Sequence, residues 1–511
     1  MPEWGDLQVD QLRFMAGRYG TEVAYRDLDA GTQVTFAEWD EQSNRLARAL
    51  VERGVAAGDR VSVYLPSEEA LRWIVTYAAV HKAGAVAVPT NTRLSAPELV
   101  TILGHAEASA LVTCAELLDT AVKVRKEVSP LRVVLSAGRA GDHDGVDDYD
   151  AALSTDGSDF QVPRTVDDLA DIMYTSGTTG LPKGVAVRHR NVAMIPNHEP
   201  QWTGGGWIHG APMFTFAGIA FIYNPMKMGL RGDYLPKFDA GRWLAIVASE
   251  RPTMAFLVPA MAELLVAHPD FEQPDLTSLH SVSIGSAPLA PRTLLRLQKR
   301  LPDATVSNSY GMTEAGAAYI VMPKDQVTKR IGSVGKPIPP MELKIVDEQD
   351  TECAPREVGE LLTRMLGSQR EYYKDPDATS STWTADGWLR SGDLAYLDED
   401  GFLYIAGRKK DMIIRGGNNV YPVDIEAVLL EHPDVQEAAV VGIPHPVLGE
   451  DVAAFVVLKE PAQPDIDALL GFCAERLADY KRPRHLTFVG ELPRNATGKV
   501  MKHLLRHPAA P

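Results

Sequence analysis

Apolar and polar positions along this chain follow two rhythms. Short β-branched runs occur at VSVYL (61–65), AVAV (85–88), ALVT (110–113) and RVVL (132–135). They have the length and composition of buried strands. Trp39, Leu46, Leu50 and Val51 recur instead at helical spacing. Alternation of the two patterns predicts α/β layers around a mainly parallel sheet. A second region of the same kind runs through TMAFLV (253–258) and SVSI (281–284). From about residue 332 to 407 the texture shifts to short strands and turns, which predicts a small β-rich piece.

The last hundred residues form a further unit. Pro422 can open a helix in which Ile425, Val428 and Leu429 share a face. AAVV (438–441) and AFVV (454–457) read as strands, and Ile466, Leu469, Leu470, Cys473 and Leu477 as an amphipathic stripe. The expected class is therefore α/β. Two α/β subdomains and a β-rich subdomain make a large N-terminal domain over 1–409, and a small α+β domain occupies 410–511. The boundary falls in GRKKDMIIRGG (407–417), where charges and glycines interrupt the pattern. The polar stretch 141–158 reads as a surface loop.

Composition narrows the function classes. The 511 residues are 45% hydrophobic and 23% charged, with a formal net charge of −17. An acidic surface argues against broad binding to nucleic acid or anionic membrane. Cys114, Cys353 and Cys473 lie far apart without a C-x-x-C partner. A disulfide framework or zinc site is not expected, and a reducing, cytoplasmic setting is. No apolar run reaches the length of a membrane span. The beginning, MPEWGDLQ, lacks the pattern of a secretory signal.

One stretch carries candidate chemistry. YTSGTTGLPKG (174–184) gathers hydroxyls, glycines and a lysine just after a mostly apolar run. A polyphosphate needs many donors at close range. Glycines bare their amides, hydroxyls add donors and a lysine adds charge. Thr175, Ser176, Gly177, Thr178, Thr179, Gly180 and Lys183 meet that need. The Walker loop demands G-x-x-x-x-G-K-[ST], whereas Lys183 here stands between Pro182 and Gly184. Taken alone, such a loop is more often a solvated turn.

Three further stretches change those odds: SYGMTEAG (309–316), SGDLAYLDEDGFLYIAGRKKD (391–411) and PRNATGK (493–499). With all four motifs in this order, the chain resembles the adenylate-forming superfamily of acyl- and aryl-CoA synthetases, peptide-synthetase adenylation domains and luciferases. The resemblance extends over about 35–505. It implies that a carboxylate attacks the α-phosphate of ATP, releasing pyrophosphate, and that a thiol then displaces AMP. It implies that Thr175 to Lys183 hold the β- and γ-phosphates, that Thr313 donates to the α-phosphate, and that Glu314, with Thr175 as a further metal contact, holds Mg²⁺. Ser286, Ala287 and Pro288, with Asn308, Ser309, Tyr310, Gly311 and Met312, would frame the adenine. Asp393 would accept from the ribose hydroxyls, Arg408 would hold ribose or phosphate, and Lys499 would bridge the carboxylate and the α-phosphate.

The resemblance also implies a mobile C-terminal domain. Its hinge would be Lys410, and rotation would replace Lys499 by Gly416 and Gly417 at the site. GIPHPVLGED (442–451) resembles a segment of free-standing CoA ligases and otherwise reads as a strand-to-helix turn. Coenzyme A is the favoured acceptor, with a carrier-protein thiol, or an unusual acceptor or nucleophile such as nitrite or an amine, as alternatives. A silent nucleotide binder is the rival from another class. A monomer or homodimer is expected. For the acid, the expectation is a pocket drawn from 207–223, 256–260 and 283–287, including Phe214, Thr215, Gly218 and Tyr223. Phe214, Phe216, Phe221 and Tyr223 could equally be core. Thr215 departs from the family, where a gating ring is common, and leaves the entrance roomier or more polar. Glu371 stands where glycine is common.

Overall fold

The structure, a computed structural model, describes residues 5–138, 143–175, 182–192, 195–317, 319–365, 369–494 and 500–506. The strand–helix alternation builds two mainly parallel sheets. In the first, of eight strands, Arg60–Val63 lies between Val86–Pro89 and Ala108–Cys114, all parallel. Ala108–Cys114 is buried at every position, as expected of a strand covered on both faces. The second sheet has seven strands. Gly205–His209, Met254–Leu257, Ser281–Gly285 and Thr305–Ser309 run parallel and side by side in it.

Helices Phe36–Glu52, Ala70–Lys82 and Phe216–Lys227 join residues of both sheets in one core cluster. Phe36–Glu52 opens with a reciprocal cap. Thr35 Oγ1 accepts from the Glu38 amide at 3.2 Å, and the Glu38 carboxylate accepts from the Thr35 amide at 2.8 Å. Trp39 of this helix, fully buried, stacks on Tyr223 with ring centroids 5.8 Å apart.

The β-rich piece is a six-stranded sheet that starts earlier than the sequence texture suggested, at Ile320–Val321, and ends at Leu403–Arg408. One strand inside this stretch belongs elsewhere. Glu371–Tyr372 crosses to pair with Lys183–Arg188 at the edge of the first sheet. The stretch 141–158 is also more than a loop. Asp147–Asp148 adds to the first sheet, and the helical turn Tyr149–Ala152 buries Tyr149. An aromatic anchor in a polar segment is easily overlooked when pattern alone is weighed.

Beyond Asp411 comes a five-stranded sheet with helices Pro422–Glu431 and Ile466–Arg476. One face packs Ile413, Ile425, Val440, Val456 and Cys473. The other packs Val441, Phe455 and Val457 against Leu492 and Leu505, near the end of the chain. GIPHPVLGED does not lead from a strand into a helix. It spans the tip of the hairpin between Val435–His445 and Gly449–Leu458. All three cysteines are free thiols. Among the described residues no helix is long and apolar enough to cross a membrane.

Candidate active site

The phosphate-loop motif is flanked by two antiparallel strands, Leu169–Thr175 and Lys183–Arg188, in which Thr175 pairs with Lys183. Strand therefore returns to strand here, where a Walker loop would lead into a helix. Ser176, Gly177, Thr178, Thr179 and Gly180 lie outside the described residues, as does Lys499. The Lys499 motif is bracketed by an antiparallel bridge between Arg494 and Val500, with Arg494 salt-bridged to Glu437 at 2.6 Å.

Open α/β sheets bind ligands beyond the carboxyl ends of their parallel strands. Two neighbouring strands of the second sheet, Ser281–Gly285 and Thr305–Ser309, deliver the expected adenine frame there. Ser286, Ala287 and Pro288 follow the first and are exposed. Ser286 has φ 76°, a left-handed conformation that costs a non-glycine residue energy and is concentrated at functional sites. Asn308 and Ser309 end the second strand and Tyr310 follows it, all three half-buried. Ser309 is hydrogen-bonded to Ser283. Gly311–Met312 then pairs with Gly316–Ala317. This short ribbon carries Thr313 and Glu314 at its tip.

Asp393 is only 4% exposed and lies within the strand Leu389–Leu397, paired across the ladder with Arg408. Its Oδ1 accepts from Arg408 Nε at 2.7 Å and its Oδ2 from the Tyr310 hydroxyl at 2.5 Å. Burial, then the adjacent Asp393 charge, holds the Tyr310 phenol well above its ordinary pKa, so it stays a donor. A carboxylate has about four lone-pair positions. Two are taken, which leaves room for two ribose hydroxyls.

Glu314 accepts from the Tyr372 hydroxyl at 3.3 Å, and the Lys183 ammonium lies 4.9 Å from the Tyr372 ring centre. Burial, then the Glu314 charge, raises the Tyr372 phenol. A single ring thus separates a candidate phosphate cation from a candidate metal carboxylate. Among the described residues no three or more His, Cys, Asp or Glu side chains cluster to hold a metal. One carboxylate with an oxygen to spare is nonetheless the donor set that Mg²⁺ uses when phosphates and waters complete its octahedron. The pattern reading of 369–373 dwelt on Glu371, which pairs with Arg188 at 2.9 Å on the outside. It missed Arg370 and Tyr372, which point at the site. The crossover of this short strand is what aims them inward, and sequence spacing does not display it.

The pocket expectations divide. Phe221, Phe256 and Ala211, with Trp207, Ala217 and Val258 against them, form a separate aromatic and apolar cluster. Trp207 lies edge-on to Phe221 at 5.0 Å, and Phe221 contacts Phe256 at 4.8 Å. Tyr223, by contrast, is 1% exposed, stacked on Trp39 and 6.0 Å from Tyr77, so its role is core packing and its assignment to the pocket is corrected. Thr215 caps helix Phe216–Lys227. Its hydroxyl donates to the Pro212 carbonyl at 2.7 Å and accepts from the Gly218 amide at 3.1 Å. Its donor and one acceptor position are used locally, so the hydroxyl serves the helix cap. Gly218 is buried, and a Cβ there would collide with the Pro212 carbonyl, which is a packing reason for glycine.

Lys410 sits in the 3₁₀ turn Lys409–Asp411 between the last strand of the six-stranded sheet and the small unit. Gly416 and Gly417 have φ 57° and 82° and form the two-residue turn joining Arg415 to Asn418. Such a hairpin demands positive φ at both positions, so a local reason for these glycines already exists.

The fold and this site define an adenylate-forming class, and comparisons with known proteins agree. The family model "AMP-binding enzyme" matches residues 12–373, and "AMP-binding enzyme C-terminal domain" matches 424–499. The chain belongs to the AMP-binding enzyme family. It is similar to feruloyl-CoA synthase of an Amycolatopsis species, 34% identical over 488 residues, covering 93% of this chain and 94% of that protein. The anthranilate CoA ligase AuaEII, solved with anthranoyl-AMP, superposes with a TM-score of 0.88 at 27% identity, covering 100% of this chain and 98% of that one. ATP-bound MatB from Rhodopseudomonas palustris gives 0.86 at 30% identity, covering 98% of both.

Proposed function

We propose that this enzyme activates an apolar, ring-bearing carboxylic acid, with the residues named above in divided roles. The reaction class is ATP-dependent acid:CoA ligation. A carboxylate oxygen bonds to the α-phosphorus of ATP, the bond to the β-phosphate oxygen breaks, and pyrophosphate leaves. The coenzyme A sulfur then bonds to the acyl carbon, and AMP leaves with the electron pair of the broken anhydride bond. Relatives named for feruloyl and anthranilate thioesters support the acid class.

The observation that carries the assignment is the meeting of Tyr310, Asp393 and Arg408 with the Thr313–Glu314 ribbon. Four separated motifs supply the groups that one nucleotide needs. Asp393 holds the ribose, Thr313 and the loop from Thr175 to Lys183 hold phosphates, and Glu314 holds Mg²⁺. Mg²⁺ held there would supply positive charge to the phosphates. Positioning and charge stabilisation do most of the work in such transfers. Lys499 stabilises the charge between carboxylate and α-phosphate. Because it lies on the small unit, turning about Lys410 withdraws it before thioester formation. The aromatic cluster at Trp207, Phe221 and Phe256 supports a flat apolar acid, and Thr215 leaves its entrance wide. The acidic charge and free thiols fit a cytoplasmic setting.

Pyrophosphate release with benzoic, hydroxycinnamic, branched, medium-chain, long-chain and dicarboxylic acids tests this. Acid-dependent turnover is expected, with ring acids at least tenfold ahead in kcat/KM and a coenzyme A thioester as product. Preference for a linear or doubly charged acid would sink the acid class. Product found on an amine or a phosphopantetheine carrier rather than on coenzyme A would sink the acceptor. No turnover with any acid would sink the activity.

A further inference from the structure

We propose that Arg370 is a positioning residue for the adenylation step, tying the Thr313–Glu314 ribbon to the segment that follows the phosphate-loop hairpin. Arg370 is 4% exposed. Its Nη1 donates to the Thr313 carbonyl at 2.5 Å and its Nη2 to the Asn191 carbonyl at 2.8 Å. Asn191 ends the 3₁₀ turn His189–Asn191, directly after the strand Lys183–Arg188. The two prongs therefore reach two stretches that are remote in sequence, the ribbon carrying Thr313 and the turn that continues the strand of Lys183. The guanidinium also lies 5.3 Å from the centre of the Phe216 ring, the first residue of the helix capped by Thr215. One side chain thus touches the ribbon, the turn after the hairpin and a helix that packs on the main core.

The chemistry is costly unless it serves something. Both hydrogen bonds end on backbone carbonyls, so neither neutralises the cation. A buried, unpaired guanidinium is expensive. Burial pushes its pKa down to about 10, partly countered by the charges of Asp171 and Glu314. Its Nε has no partner among the described residues. A core that needed only volume would be filled by methionine or leucine. Two carbonyls at a fixed separation call for a planar fork, which lysine lacks. The ribbon is also shaped around it. Gly316 has φ 79°, and a Cβ there would sit 2.9 Å from Arg370 Nη2. The glycine of SYGMTEAG thus has a physical reason: its bare backbone lets the guanidinium reach the ribbon.

This inference rests on the adenylation reading, so the two half-reactions are measured separately, in the full-length enzyme. The variants are Arg370→Met, Arg370→Lys and Gly316→Ala. The assays are acid-dependent ATP–pyrophosphate exchange and thioester formation from supplied acyl-adenylate. In Arg370→Met, the exchange kcat should fall at least tenfold further than thioester formation, while KM for the acid stays within about threefold. Arg370→Lys should recover part of the loss through charge without the fork. Gly316→Ala, which presses on Nη2 and leaves Arg370 in place, should shift the same ratio in the same direction. Equal loss in both half-reactions, or no loss, would overturn the proposal. If Arg370→Met fails to fold, the ratio in the other two variants decides. Wild-type enzyme without exchange on any acid would count against the adenylation reading. The ATP dissociation constant of the three variants would then judge Arg370 by itself, since unchanged affinity refutes a positioning role.

Discussion

Asp393→Asn puts the ribose assignment to a quantitative test. The carboxylate is 4% exposed and already holds Arg408 on one oxygen and Tyr310 on the other, at 2.7 and 2.5 Å. Asparagine keeps the shape but replaces one oxygen by an amide that can only donate. Its remaining oxygen serves Arg408 best, and the amide turns toward Tyr310, whose hydroxyl can rotate to accept. A ribose hydroxyl that donated to the second oxygen is then stranded. A hydrogen bond to a charged group contributes about 1.5–3 kcal/mol, so KM for ATP should rise roughly ten- to 150-fold. The Arg408 side chain is 36% exposed, so losing the negative charge opposite it adds about 1 kcal/mol or less. The hydroxyls take no part in bond making, and kcat should change less than about tenfold. The assay is ATP–pyrophosphate exchange with ATP, 2′-deoxy-ATP and 3′-deoxy-ATP. Wild-type enzyme should discriminate against at least one deoxynucleotide by a similar factor, and in the variant that discrimination should shrink to about threefold. A variant that still tells ATP from both analogues as the wild type does would show that Asp393 does not read the ribose.

Other outcomes follow from single contacts. Lys499→Ala should cut adenylation some hundreds-fold, as expected for losing a stabiliser of about 3–4 kcal/mol, while thioester formation from supplied acyl-adenylate persists; equal loss in both half-reactions would end the divided roles. Thr215→Ala removes the cap on Phe216–Lys227 and should lower unfolding free energy by about 1 kcal/mol in a denaturant titration, and an unchanged midpoint would contradict the cap. Gly417→Ala, at φ 82°, should destabilise the small unit by about 1–2 kcal/mol, whereas Gly417→Asn should be milder; if neither loses stability but both raise KM for coenzyme A, the glycine serves passage of the thiol arm instead. Burial pushes the Lys227 ammonium down to about 7, against about 10.4 when unfolded. The unfolded chain binds the extra proton between those values, so this group makes stability rise with pH across that window. Lys227→Met should therefore raise the melting temperature most at pH 6 and progressively less toward pH 10; a gain independent of pH would refute the burial argument.

The sequence by itself settled what local rules govern. Apolar runs of strand length became buried strands, as at Ala108–Cys114, which is covered on both faces. The helix at Pro422 and the stripe from Ile466 formed where period and capping placed them. The motif residues Tyr310, Thr313, Glu314, Asp393 and Arg408 were legible only through four motifs whose order resembles the adenylate-forming superfamily, since each taken singly reads as an ordinary turn, charge run or core residue. Tertiary structure alone decided which side chains share a space. Tyr223 went to the core and Phe221 to an aromatic cluster, although the two positions look alike along the chain. The strand Glu371–Tyr372 left its neighbours for a distant sheet and brought Arg370 and Tyr372 beneath the Thr313–Glu314 ribbon. Periodicity reports which face of an element is buried. It does not report against what, because that depends on packing between segments hundreds of residues apart.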